Sequence, residues 1–127
     1  MSDSPITGGC HCGALRYRID GTLGFAFACF CDSCRKLSAG ARLVGVSVKP
    51  EHYTLEGPAS RYTYPGGKDQ IELVFCGHCS TQVAAHPAAF PNMVSLRVGS
   101  LDEPEAVQKV KPVFTDGACH WEPSLQR

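Results

Sequence analysis

The sequence lacks an excess of either charge: 12 Lys and Arg stand against 12 Asp and Glu in 127 residues. No run of basic residues supplies the electrostatic footprint that a phosphate backbone requires, which argues against nucleic acid as a partner. Long apolar runs are missing as well. The longest, Phe25 to Cys31, covers seven residues, whereas a helix needs roughly 20 to cross a bilayer, so no membrane segment is expected. Met1 to Gly9 combine neither a basic stretch nor an apolar one in the manner of a secretory signal, and a cytoplasmic location is the expectation. Sustained helical periodicity is scarce, and 13 Gly with 9 Pro imply many turns.

What the chain does have is alternation. Leu15, Tyr17 and Ile19 alternate with Arg16, Arg18 and Asp20, as in a strand with one buried face. Ile71, Leu73 and Phe75 repeat the pattern, as do Val94, Leu96 and Val98. Further strands are predicted over Phe25 to Cys29, Leu43 to Val48, Tyr53 to Glu56, Arg61 to Tyr64 and Gln82 to Ala85. Helix is confined to one turn over Ser33 to Ser38 and a short stretch from Asp102 to Gln108 with Pro104 in its first turn. Pro65-Gly66-Gly67 reads as a turn, and His86 to Asn92 as a surface loop. The length fits one domain over residues 1–127, of mostly β class.

The eight cysteines are grouped: Cys10 with Cys12, Cys29 with Cys31 and Cys34, Cys76 with Cys79, and Cys119 alone. In a reducing compartment such cysteines are better explained by metal than by disulfides. A C-x-C pair in extended chain points both sulfurs the same way, and the C-x-x-C turn, with Gly77 inside it, is a familiar zinc half-site. Two pairs make a closed structural site of Cys10, Cys12, Cys76 and Cys79. Cys29, Cys31 and Cys34 then lack a fourth ligand, which is what a catalytic zinc requires. The competing reading is a second closed site completed by Cys119 or a histidine.

Three thiolates on Zn²⁺ leave a net charge of about −1, which weakens activation of water and favours holding a substrate thiol as thiolate. Arg35 and Lys36 follow Cys34 directly and could meet substrate carboxylates, although a basic dipeptide in solvent is as common. His11 points away from the sulfurs on either side of it, and His78 inside the knuckle is expected exposed or hydrogen-bonded. His52 and His86 read as surface residues, Tyr62 and Tyr64 as strand residues, and Trp121 as core or pocket wall. A zinc-stabilised module that binds another protein without catalysis would share this composition.

The blocks Gly-Cys10-His-Cys12-Gly-Ala-Leu-Arg-Tyr, Cys29-Phe-Cys31-Asp-Ser-Cys34-Arg-Lys, Phe75-Cys76-Gly-His-Cys79-Ser-Thr and Val98-Gly99-Ser100-Leu101-Asp102 resemble the family of glutathione-dependent formaldehyde-activating enzymes and centromere protein V. The resemblance implies a β-tent fold of stacked antiparallel sheets with short helices. It implies a structural zinc on Cys10, Cys12, Cys76 and Cys79 and a catalytic zinc on Cys29, Cys31 and Cys34. It also implies a carbon–sulfur lyase chemistry in which glutathione adds to formaldehyde. Three positions depart from the family pattern. Phe30 replaces a polar residue, Ser80-Thr81 replaces Gly-Thr, and Pro112 stands where a His precedes the family's Trp, if Trp121 is that Trp. Cys119 and His120, beside Trp121, are candidate replacements for that His.

Overall fold

The computed structural model describes residues 4–66 and 69–122. Alternation builds the smaller sheet. Strand β2, Arg16–Ile19, exposes Arg16 and Arg18 and buries Tyr17 and Ile19. It pairs antiparallel with β1, Ile6–Gly9, on one side and with β5, Tyr53–Glu56, on the other.

The larger sheet has seven strands. These are β3 (Ala26–Cys29), β4 (Leu43–Val48), β6 (Ala59–Gly66), β7 (Asp69–Cys76), β8 (Gln82–Pro87), β9 (Val94–Arg97) and β10 (Lys111–Val113). Their order is β10-β3-β4-β9-β8-β7-β6, antiparallel throughout except for the parallel pair of β10 and β3. One helix, α1, spans Asp32–Ser38 directly after β3. The architecture is thus mostly β, with two sheets and one α-helix among the described residues. None of the described helices is long and apolar enough to cross a membrane.

The core joins the two sheets. Leu15, Tyr17 and Ile19 pack in one cluster with Val46, Val74, Val83, Ala84 and Leu96 of the larger sheet. The clamp that holds the sheets together is the Val98-to-Asp102 segment. Val98–Ser100 forms a 3₁₀ turn, and Leu101 bridges to Gly8. Ser100 donates its hydroxyl proton to the Arg97 carbonyl at 2.7 Å, so Tyr17 donates to Ser100 Oγ, also at 2.7 Å. Asp102 accepts from Thr7 Oγ1 at 2.6 Å and from Arg16 Nη1 at 3.0 Å, and Arg16 Nη2 binds its second oxygen.

Several expectations are corrected. Val98 begins the 3₁₀ turn and does not extend β9. Pro65 and Gly66 continue β6, which is tolerable because β6 is an edge strand and a missing N–H breaks no second ladder; Gly67 lies outside the described residues. His86 and Pro87 extend β8, so the loop begins later than expected. The stretch from Asp102 to Gln108 holds only a 3₁₀ turn, Pro104–Ala106, with no buried residue to anchor a longer helix. Strands β1 and β10 carry no alternation to announce them: β1 ends in two glycines and β10 has three residues around Pro112.

Candidate metal centres

The first centre forms where β1 ends and β7 turns. Cys10, Cys12, Cys76 and Cys79 bring their sulfurs within 4.8 Å of one another. Cys10 and Cys12 are 3.6 Å apart, and Cys12 and Cys76 3.8 Å. Zinc–sulfur bonds of about 2.3 Å in a tetrahedron place sulfurs about 3.8 Å apart, so the donor set fits a zinc ion. Backbone amides converge on the sulfurs: Leu15 N–H donates to Cys10 at 3.2 Å, and His78 and Cys79 N–H donate to Cys76 at 3.3 and 3.5 Å. Gly13 turns the chain with φ of +85°, a conformation that favours glycine. Cys76 is fully buried and Cys10 nearly so, and a thiolate formed at such depth would need a cation beside it. The Thr81 hydroxyl, assisted by the Thr81 and Cys12 amides, brings the Cys79 thiol down to about 5. His11 and His78 are both exposed and belong to neither group.

The second centre sits at the junction of β3 and α1. Cys29 ends the strand, Cys31 caps the helix with its sulfur accepting the Cys34 N–H at 3.5 Å, and Cys34 lies in the first turn. The three sulfurs lie within 4.8 Å of one another, with Cys29 and Cys31 3.4 Å apart. Burial, and then the neighbouring Cys29 thiol, push Cys34 well above the ordinary thiol range. Three crowded sulfurs of this kind ionise together only around a metal ion. Among the described residues neither Cys119 nor any histidine completes the group. Phe30 is 1% exposed, so the residue that replaces a polar one points into the core and leaves the cup undisturbed. The turn Thr115–Gly117 lies against the same junction: a Cβ on Gly117 would stand 2.7 Å from the Phe30 carbonyl oxygen.

A cleft of about 440 Å³ adjoins this cup. Leu37 and Ser38 at the end of α1, Leu43, Arg42, Ser80, Gln82 and Arg97 line it. Leu43 is the residue of β4 paired with Cys29, so cup and cleft share a wall. The volume falls within the range of roughly 300 to 1,000 Å³ usual for small-molecule sites. Arg97 is drawn down to about 10 by burial, with Cys34 and Tyr64 acting in the opposite sense. Burial, then the Cys34 sulfur, raise the Tyr64 phenol, so Tyr64 shares the surroundings of the cup.

Of the two cations expected beside Cys34, Arg35 is paired with Asp32 at 2.7 Å and Lys36 is exposed. Arg42, Gln82, Arg97 and Glu122 were not legible in advance. Arg97 shares a strand with Val94 and Leu96 and nothing local marks it, and Arg42 meets the buried Glu122 across 80 positions of sequence at 2.8 Å. Trp121 is 56% exposed, against the expectation of burial, and Pro112 occupies the edge strand opposite Ala28.

A sequence model of the family described as glutathione-dependent formaldehyde-activating enzyme matches residues 5–117. The chain belongs to this family. A Halomonas elongata protein, provisionally named a glutathione-dependent formaldehyde-activating enzyme, is 25% identical over 103 residues, which cover 76% of this chain and 66% of that protein. The chain therefore spans just under two thirds of that relative's length. A crystal structure of a Rhodobacter sphaeroides protein shares the fold, with a TM-score of 0.65 at 19% identity over 84% of this chain and 98% of that one.

Proposed function

We propose that this family member is a zinc-dependent enzyme of the carbon–sulfur lyase type, acting in the cytoplasm on the adduct of a small thiol such as glutathione with an aldehyde such as formaldehyde. Residues 1–127 would form one zinc-stapled domain of the β-tent type, with Cys10, Cys12, Cys76 and Cys79 holding the structural ion. Cys29, Cys31 and Cys34 would hold the second. When bound there, zinc keeps a substrate thiol ionised at neutral pH.

The chain's own residues supply the rest. Cys29, Cys31 and Cys34 supply three ligands and would leave a fourth position for the substrate, while Leu43, the β4 partner of Cys29, lines the neighbouring cleft. Leu37 and Leu43 contribute apolar side chains to a cleft whose other lining residues include Ser38, Arg42, Ser80, Gln82 and Arg97, so it suits a substrate with both apolar and charged groups. Arg35, paired with Asp32, and the exposed Lys36 stand on the helix that carries Cys34, where they would be available to a substrate carboxylate that reaches the helix. The addition forms one C–S bond, and the thiol proton ends on the former carbonyl oxygen; the reverse reaction breaks that bond.

One observation carries this reading: three sulfurs converge without a fourth ligand from the described chain, next to a cleft of substrate size. The test is zinc stoichiometry with glutathione calorimetry on reduced protein. Wild type should hold two zinc ions and bind glutathione saturably, and Cys31→Ser should lose one zinc and the thiol affinity together. Two zincs with no saturable thiol binding would instead favour a non-catalytic interaction module.

A further inference from the structure

We infer that Arg97 anchors a carboxylate of the thiol substrate, making the cleft beside Cys29, Cys31 and Cys34 an anion subsite; this rests on the thiol-addition reading above and specifies its substrate class. The guanidinium is held in place before any ligand arrives. Its Nε donates to Gln82 Oε1 at 2.5 Å and its Nη1 to Ser95 Oγ at 3.3 Å. Gln82 is itself tied to α1, its Nε2 donating to the Leu37 carbonyl at 3.5 Å. Neither bond of Arg97 uses Nη2, and Nη2 is not among the buried polar atoms left without a partner, so it is reachable from the cleft that Arg97 lines.

Charge decides which of the cleft's two arginines does this. Arg42 is matched by the Glu122 carboxylate, which is 1% exposed, at 2.8 Å. Arg97 has only the neutral Gln82 and Ser95 as hydrogen-bond partners, and no carboxylate pairs with it among the described residues. The Cys34 sulfur of the cup faces Arg97 but makes no hydrogen bond to it, so the guanidinium keeps a donor for an anionic ligand, and its shape suits a carboxylate.

The sheet sets the spacing. Cys29 pairs with Leu43 on β4 and Arg97 pairs with Gly45, two residues along the same strand. Two strand spacings of about 4.8 Å and two rises of about 3.4 Å therefore separate the two Cα atoms. A thiol seated at the cup would reach Arg97 through a carboxylate several bonds from its sulfur.

The experiment uses the full-length zinc-loaded protein and three probes in calorimetry. They are glutathione, its dimethyl ester, which keeps the thiol and blocks both carboxylates, and S-methylglutathione, which blocks the thiol and keeps the carboxylates. Arg97→Gln should weaken S-methylglutathione and glutathione by about 10- to 100-fold, the loss of a charge-assisted hydrogen bond, and leave the ester unchanged. Arg97→Lys should fall between. Equal weakening of all three probes, or of none, overturns the inference. If Arg97→Gln fails to fold, wild type decides alone: glutathione should bind at least about tenfold tighter than the ester, and equal affinities overturn the inference. Arg97-dependent binding of S-methylglutathione with no gain from a free thiol would uphold the subsite and remove the thiol-addition reading. Tight, thiol-dependent binding indifferent to Arg97 would do the reverse, and no binding of any probe removes both.

Discussion

The Thr81 hydroxyl accepts a hydrogen bond from the His11 N–H at 3.1 Å and lies 3.3 Å from the Cys79 sulfur. With its lone pair engaged by His11, its proton is directed to Cys79, which accounts for the direction of that thiol's shift. One side chain thus orients ligands from both halves of the four-cysteine group. Thr81→Val keeps the shape and removes the oxygen, and should lower zinc affinity at that site by about 10- to 100-fold, measured by competition with a chelator. Neighbouring Ser80 has a φ of 72°, a left-handed conformation that suits the glycine expected there from the resemblance. The spacing of the cysteines was readable from the sequence because two half-sites are encoded within four residues each. The role of Thr81 was not, since its hydrogen bond to His11 spans 70 positions.

At the scale of elements, α1 is short, buries no residue fully and is held chiefly by its ends. Cys31 caps it, and Ala39 closes it in a left-handed conformation, its N–H donating to the Lys36 carbonyl at 3.2 Å. The turn Thr115–Gly117 supports the start of this helix from outside, with Gly117 close to both Phe30 and Cys31. Gly117→Ala would push a methyl group onto backbone, so we expect a loss of about 1–3 kcal/mol in stability by urea unfolding. Zinc should be lost from the three-cysteine centre before the four-cysteine one. Strand β3 was foreseen from its apolar run. Its parallel partner β10 was not, because three residues around a proline contain no periodicity and acquire strand geometry only from the edge they join.

Across the whole molecule, Asp102 ties the smaller sheet to the segment that follows β9. Arg16, then Thr7, hold its carboxyl below the usual range. A carboxylate with a lowered folded-state pKa contributes stability above its unfolded value of about 3.9, and loses it as pH falls through the folded value. Both partners of the Arg16 ion pair are more than a third exposed, which limits the gain to about 1 kcal/mol. Asp102→Asn should therefore cost up to about 1 kcal/mol at pH 7 in urea unfolding and flatten the loss of stability below about pH 4. The Val98-to-Asp102 motif was visible as a family signature, yet its task as a clamp emerged only with the pairing of Gly8 and Leu101.

By itself the sequence determined the β class and the division of seven cysteines into two groups, because alternation and ligand spacing are properties of a few adjacent residues. Tertiary structure alone decided what surrounds the cup. Arg97, Gln82 and Arg42 come from three different strands or their flanks, and Glu122 lies 80 positions from Arg42. No local pattern encodes such a meeting, since strand order, and not chain order, brings a cation, its neutral supports and three sulfurs to one wall of the sheet.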